Sequence, residues 1–223
     1  MGERLTGLSF DEFVRFVFDH SVGGPQWYFD SDAPFWAGPG AVTIEYVTRL
    51  FEEPEAALAS FSDAQIGQGF WFLLSNGCSD CMMALYDETV PGAERVRCVE
   101  SFTNVFRCVF AARCTPHLSH LDEPGTGAIN ASCYMWWDIL PLAGAPQNPM
   151  QRAIDRAALD VMANVVMLDA IACQESALHG LGHWHAAYPR EVEGIVDRFV
   201  AAYPQARTEL LAYAKSARCG CVL

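Results

Sequence analysis

The sequence predicts an all-α protein, either an irregular stack of helical pairs (a HEAT-like array) or a compact multi-helix bundle. Two Ser-x-x-Glu/Gln capping boxes stand before apolar runs, at Ser9/Glu12 and Ser62/Gln65. Apolar residues recur every three to four positions along most of the 223-residue chain. The period-two alternation of a half-buried strand is missing from the sequence.

The elements follow in order. After Ser9, the residues Phe10, Phe13, Val14, Val17 and Phe18 form one helical face. The stretch 21–40 is a loop rich in Gly, Pro and aromatics, expected to pack on the body because long structureless loops are uncommon. Pro39-Gly40 leads into a helix through Val42, Tyr46 and Leu50, and Pro54 suits the first turn of the next. Ser62 opens a helix through Ile66, Phe70, Leu73 and Leu74, which Asn76-Gly77 ends. Pro91 opens a long segment with Val96, Val99, Phe102, Val105, Phe106, Val109 and Phe110 in one stripe. A second loop, 115–127, carries His117, His120, Asp122 and Glu123, and Asn130 is expected to cap a compact helix holding Trp136 and Trp137. Pro141 to Pro149 is a connector and the weakest point for a boundary in what is expected to be one domain, 1–223. Helices at about 150–167 and 169–186 follow, with Asp169 as cap, and two more close the chain after Pro189 and Pro204. Ala-Ala-Tyr-Pro occurs at 186–189 and again at 201–204, a spacing the size of half a two-helix repeat.

Composition narrows function. With 27 acidic against 14 basic residues the net charge is −13, which repels nucleic acid and suits a basic protein partner. No window approaches the run of about 18 apolar residues that a membrane helix requires. The start lacks a secretory pattern, so a cytoplasmic location is expected, and the nine cysteines are then thiols instead of a disulfide framework.

The stretch from Cys173 to His185 is the most concentrated in chemistry. It places Glu175, His179 and His183 four residues apart on a helix, with His185 just beyond. Glu175 and His179 lie in an otherwise apolar or small stripe, so the helix is expected to be central and buried, with His179 as the partner of Glu175. Gly180 and Gly182, each costing roughly 1 kcal/mol of helix propensity, imply close approach by a neighbouring backbone. Glu175 and His183 are separated by about 12 Å along the axis, too far for one ion. A metal would therefore use His179 with His183, or Glu175 with His179, and recruit its remaining ligands from the loop of Cys114, His117 and His120. Zinc or another divalent transition metal is the ion such a set would take.

A second constellation joins Cys78 and Cys81 with Cys114 and His117 in a Cys3His pattern, although the 32-residue interval between its halves counts against it. Trp136 and Trp137 are neighbours and point about 100° apart, so one of them is a candidate interface anchor, although core burial of both is the favoured reading because Trp is highly buried on average. Phosphate-binding glycine loops and nucleophile elbows are absent from the sequence.

Four phrases carry a resemblance. Ile66-Gly-Gln-Gly-Phe-Trp-Phe-Leu-Leu, Cys133-Tyr-Met-Trp-Trp-Asp, Cys173-Gln-Glu-Ser-Ala-Leu-His-Gly-Leu-Gly-His-Trp and Ala212-Tyr-Ala-Lys-Ser-Ala-Arg-Cys-Gly resemble a family of uncharacterised bacterial proteins, from about residue 41 onward. The resemblance implies a bacterial cytosolic helical protein and carries no activity and no functional residues.

Two function classes result, beside a purely structural subunit of a larger complex, which reads alike with the first. The first is a non-catalytic helical protein that binds another protein and needs no cofactor, such as an acidic immunity or inhibitor partner. The second is a metal-dependent hydrolase with His179 and His183 as ligands and Glu175 or Asp122 as general base.

Overall fold

The computed structural model describes residues 2–222. Twelve α-helices occur among these residues, with short 3₁₀ turns and one two-stranded parallel ribbon, β1 (Arg4–Leu5) and β2 (Phe35–Trp36). The protein is essentially all-α, packed around a shared apolar core.

Both capping boxes form. Ser9 and Glu12 exchange bonds at the start of α1 (Phe10–Phe18), and Ser62 and Gln65 do so at the start of α4 (Asp63–Leu74). Between them lie α2 (Gly40–Glu52) and α3 (Pro54–Leu58), the latter opened by Pro54 in its first turn. The aromatic loop packs on the body: Trp27 stacks on His20 at 3.8 Å, and the buried Trp36 donates its Nε1–H to Thr43 Oγ1 at 2.8 Å. Phe35 and Trp36 also form the ribbon with Arg4 and Leu5, a pairing too short to leave an alternating pattern in sequence.

The long apolar segment is one α-helix only as far as Val105. Helix α5 (Gly92–Val105) runs into a π turn at Phe106–Phe110 and then α6 (Ala111–Arg113). The wider turn keeps both Phe106 and Phe110 on the indole of Trp136. The compact helix predicted after Asn130 breaks at Met135 into α7 (Asn130–Tyr134) and α8 (Trp136–Ile139). Asn130 does not cap it. Its amide instead ties down the preceding loop through the N–H, Oγ1 and C=O of Thr115.

The break turns both tryptophans inward, which corrects their reading as interface anchors. Trp136 is fully buried, ringed by Phe51, Phe70, Phe102, Phe106 and Phe110 at 5.3–5.7 Å between centroids. Trp137 is buried against α10 (Ile171–Trp184). Before α10 comes α9 (Arg152–Val165), and after it come α11 (Pro189–Ala202) and α12 (Thr208–Arg218). The cap of α10 is Ala170 without a side-chain bond, so Asp169 does not serve there.

Helix α10 is the hub: α7, α8, α9, α11 and α12 all pack on it, and residues 172–182 are all buried. This is the central helix the sequence predicts. Its glycines, however, admit side chains instead of a neighbouring backbone. A Cβ on Gly180 would meet the Trp137 indole at 2.5 Å, and one on Gly182 would meet Val222 at 2.5 Å. The two Ala-Ala-Tyr-Pro segments carry tyrosines that tether their turns, Tyr188 to the buried Asp155 and Tyr203 to the Met167 carbonyl, each at 2.6 Å. Pro189 starts α11 as expected, whereas α12 begins four residues after Pro204.

Candidate metal centre

The close fit of Trp137 on Gly180 positions the site. With no Cβ at 180, α8 brings Trp137 close against α10, and the next residue, Asp138, arrives beside His179 and His183. Asp138 Oδ2 lies 2.9 Å from His179 Nε2, and Asp138 Oδ1 lies 2.9 Å from His183 Nε2. The two Nε2 atoms are 3.2 Å apart, their rings nearly perpendicular at 87°. Among the described residues these three form the one group of three or more His, Cys, Asp or Glu donors gathered within 4.8 Å.

The spacing suits a metal ion. Two donors bound to one ion at about 2.1 Å lie about 3.0 Å apart at right angles and about 3.4 Å apart at the tetrahedral angle. The Nε2–Nε2 edge of 3.2 Å falls in that window, and each histidine meets a different oxygen of the Asp138 carboxylate at 2.9 Å. The His179 side chain is 1% exposed, while those of Asp138 and His183 are 26% and 42% exposed, so the site opens to solvent on one side.

A layer of side chains holds His179 from behind. Tyr213 of α12 places its hydroxyl 2.5 Å from Nδ1, which leaves Nε2 to face the site. Tyr134 lies on the imidazole at 4.4 Å and its hydroxyl is 3.2 Å from that of Tyr213. Burial holds the His179 imidazole below its ordinary pKa, against the opposite pull of Asp138. It is therefore neutral at physiological pH, the form that binds metals. Burial likewise pushes the hydroxyls of Tyr213 and Tyr134 up, so both remain protonated.

Glu175 is not the partner of His179. Its carboxylate is wholly buried and accepts three bonds: the backbone N–H groups of Ser119 and His120 at 2.9 Å and His120 Nδ1 at 2.6 Å. A turn of α10 separates Glu175 from His179, and the loop at 118–122 folds over it to satisfy the charge. All its bonding is directed at that loop, which removes it as a general base at the centre. The His120 ring in turn stacks on Tyr213 at 4.1 Å, so the loop, Glu175 and the tyrosine behind His179 form one assembly. Asp122, next in this loop, is the sole non-glycine residue among those described with positive φ (51°).

The other residues singled out by sequence lie elsewhere. His120 belongs to Glu175 and not to a metal set, and His117 packs on Gly125 with its Nδ1 buried and without a hydrogen-bond partner. Half-buried Cys114 and buried Cys173 neighbour the buried Cys133, where desolvation first and then these thiols push Cys133 up. The Cys3His set of Cys78, Cys81, Cys114 and His117 is not assembled, since α5 and the π turn hold its halves apart. His185 turns to Glu193, 3.7 Å away, and leaves the His179/His183 pair.

Asp138 is the member of the cluster, and the candidate ligand, that sequence reasoning missed. It stood in the aromatic phrase that includes both tryptophans, 41 residues before His179, and nothing in that spacing marks it as a ligand. Tyr213 was missed for the same reason, its role being set by the docking of α12. Comparison with protein-family models, with curated proteins and with solved structures gave no match, so the geometry alone carries the functional reading.

Proposed function

We propose that this protein binds a divalent transition metal, zinc or a close relative, through Asp138, His179 and His183, and uses it as a hydrolytic centre. The observation behind this reading is the convergence of two imidazole Nε2 atoms and a carboxylate at 2.9–3.2 Å on a partly open face. Two histidines and one carboxylate leave a fourth position for water, whose pKa a bound metal brings down toward neutrality. Of the two carboxylates the sequence offers as general base, Glu175 is committed to His120, which leaves Asp122 as the candidate to take up its proton.

Elemental analysis and metal titration test the reading. Wild type is expected to take up one equivalent of metal, and His183→Ala and Asp138→Asn to lose it while far-ultraviolet dichroism stays helical. Absence of stoichiometric zinc, iron or manganese uptake by folded wild type rules the centre out. Metal uptake without metal-dependent cleavage of chromogenic ester, amide or phosphate substrates would leave binding and remove hydrolysis.

A second reading, binding of a basic protein as an immunity-type or inhibitor-type partner, is supported by the net charge of −13 and by a groove of about 540 Å³. Phe29, 65% exposed, stands at its rim with Val22 and Trp71. A basic partner held at low salt and released by Phe29→Ala supports it, whereas binding unchanged by that substitution removes this surface. No helix among the described residues is long and apolar enough to cross a membrane. A cytoplasmic location is part of the proposal, supported by nine free thiols, two of them exposed, which suit a reducing compartment.

A further inference from the structure

Helix α12 stops at a sequence, Cys219-Gly220-Cys221, that no part of the metal centre uses. Gly220 has φ +71°, the left-handed conformation that glycine adopts without strain. The Cys221 N–H donates to the Ser216 carbonyl at 2.9 Å and the Gly220 N–H to Ala217 at 3.1 Å, the two bonds of a Schellman stop. A chain bent this tightly brings residues i and i+2 to about 5.4 Å between Cα atoms, from steps of about 3.8 Å. That lies within the range of about 4.4–6.8 Å that a disulfide requires.

The turn folds the second cysteine back onto the first. The Cys221 thiol donates to the Cys219 carbonyl, with its sulfur 3.7 Å from that oxygen, while the Cys219 thiol donates to the Ser216 carbonyl at 3.3 Å. Both cysteines are exposed, whereas the other seven are buried or half-buried. The turn is held from both sides. The His185 imidazole packs on Gly220, where a Cβ would lie 3.1 Å from Nδ1, and Val222 fills the notch left by Gly182 on α10. The tail therefore presents both cysteines on an exposed turn held by backbone hydrogen bonds.

We propose that Cys219 and Cys221 form a reversible thiol–disulfide site that is oxidised by a small disulfide of the glutathione class. One cysteine thiolate attacks the external disulfide, forming a mixed disulfide and releasing the first small thiol. The second cysteine attacks that mixed disulfide at the protein sulfur, closing the Cys219–Cys221 bond and releasing the second small thiol. The two cysteine sulfurs are oxidised, the external disulfide is reduced to two thiols, and the two cysteine protons end on those thiols.

The test equilibrates the folded full chain with graded ratios of reduced to oxidised glutathione, followed by acid quenching, alkylation and peptide mass mapping. The tryptic peptide beginning at Cys219 is expected to lose two hydrogens, reversibly, before any other cysteine reacts. Cys219→Ser and Cys221→Ser should each accumulate a single glutathione adduct on the remaining thiol instead. Oxidation appearing first at Cys78 or Cys108 overturns the assignment. So does a wild type that stops at the mixed disulfide, or one that remains reduced at every ratio while its helical dichroism is native.

Discussion

One substitution made at two places in the same fold tests the packing that builds the site. Gly180→Ala and Gly194→Ala both replace a helical glycine, and each gains about 1 kcal/mol of helix propensity. At 194, on α11, the new Cβ meets only the Arg198 guanidinium at 3.6 Å, an ordinary contact with the end of a flexible chain. At 180 it would lie 2.5, 2.6 and 2.9 Å from Trp137 Cγ, Cδ1 and Cβ. That indole has no free direction in which to withdraw, since it is buried and faces Phe102 and Phe106 at 6.4 and 6.3 Å. Overpacking of this kind costs about 1–3 kcal/mol. The propensity gain is common to both variants and cancels, so the gap between them should equal the strain, about 1–3 kcal/mol. Urea denaturation of the two variants and wild type measures it: Gly194→Ala should lie above wild type, and Gly180→Ala well below Gly194→Ala. Equal stabilities would show that Trp137 does not press on α10, and the account of how Asp138 reaches the histidines would fall with it.

Three further outcomes are expected. Tyr213→Phe removes the hydroxyl behind His179 Nδ1 and should weaken metal binding about 10–100-fold, as loss of an outer hydrogen bond to a ligand does; unchanged affinity in a metal titration would exclude Tyr213 as a positioning residue. Glu175→Ala leaves His120 and two loop N–H groups without their buried acceptor and should cost about 3–5 kcal/mol in chemical denaturation; a loss under about 1 kcal/mol would mean the buried bonds contribute no more than a typical surface ion pair. Glu123 is held at about 2, below its ordinary 4.5, first by the Arg207 guanidinium and then by the Leu118 N–H. Its folded-state pKa is depressed, so its contribution is present above pH 4.5 and is lost as pH falls through about 2. The stability difference between wild type and Glu123→Gln should therefore shrink across that window, and a difference independent of pH there would refute the pairing.

Much of the architecture was legible because it is written locally. Capping boxes at Ser9 and Ser62, and Pro54 and Pro189 in first helical turns, each depend on residues within one turn of one another. The centrality of α10 was legible too, since an apolar circumference needs no partner to be recognised. The π turn at Phe106–Phe110 was not, because an apolar stripe reads alike through a π turn and an α-helix. The partner of Glu175 was misassigned for an instructive reason. His179 is near it in sequence, but His120 reaches it through a loop that closes only when the chain has folded.

The sequence by itself determined that the chain is helical, which helix lies at its centre, and that His179 and His183 share a face. These depend on periodicity and on contacts three or four residues apart, which the backbone geometry imposes wherever the chain goes. Tertiary structure alone decided that Asp138 completes the triad, that Tyr213 backs it, that Glu175 serves the loop, and that both tryptophans are buried. Those pairings join segments 34 to 55 residues apart. Such distances are closed by helix docking, down to the missing side chain of Gly180, and no local propensity encodes them.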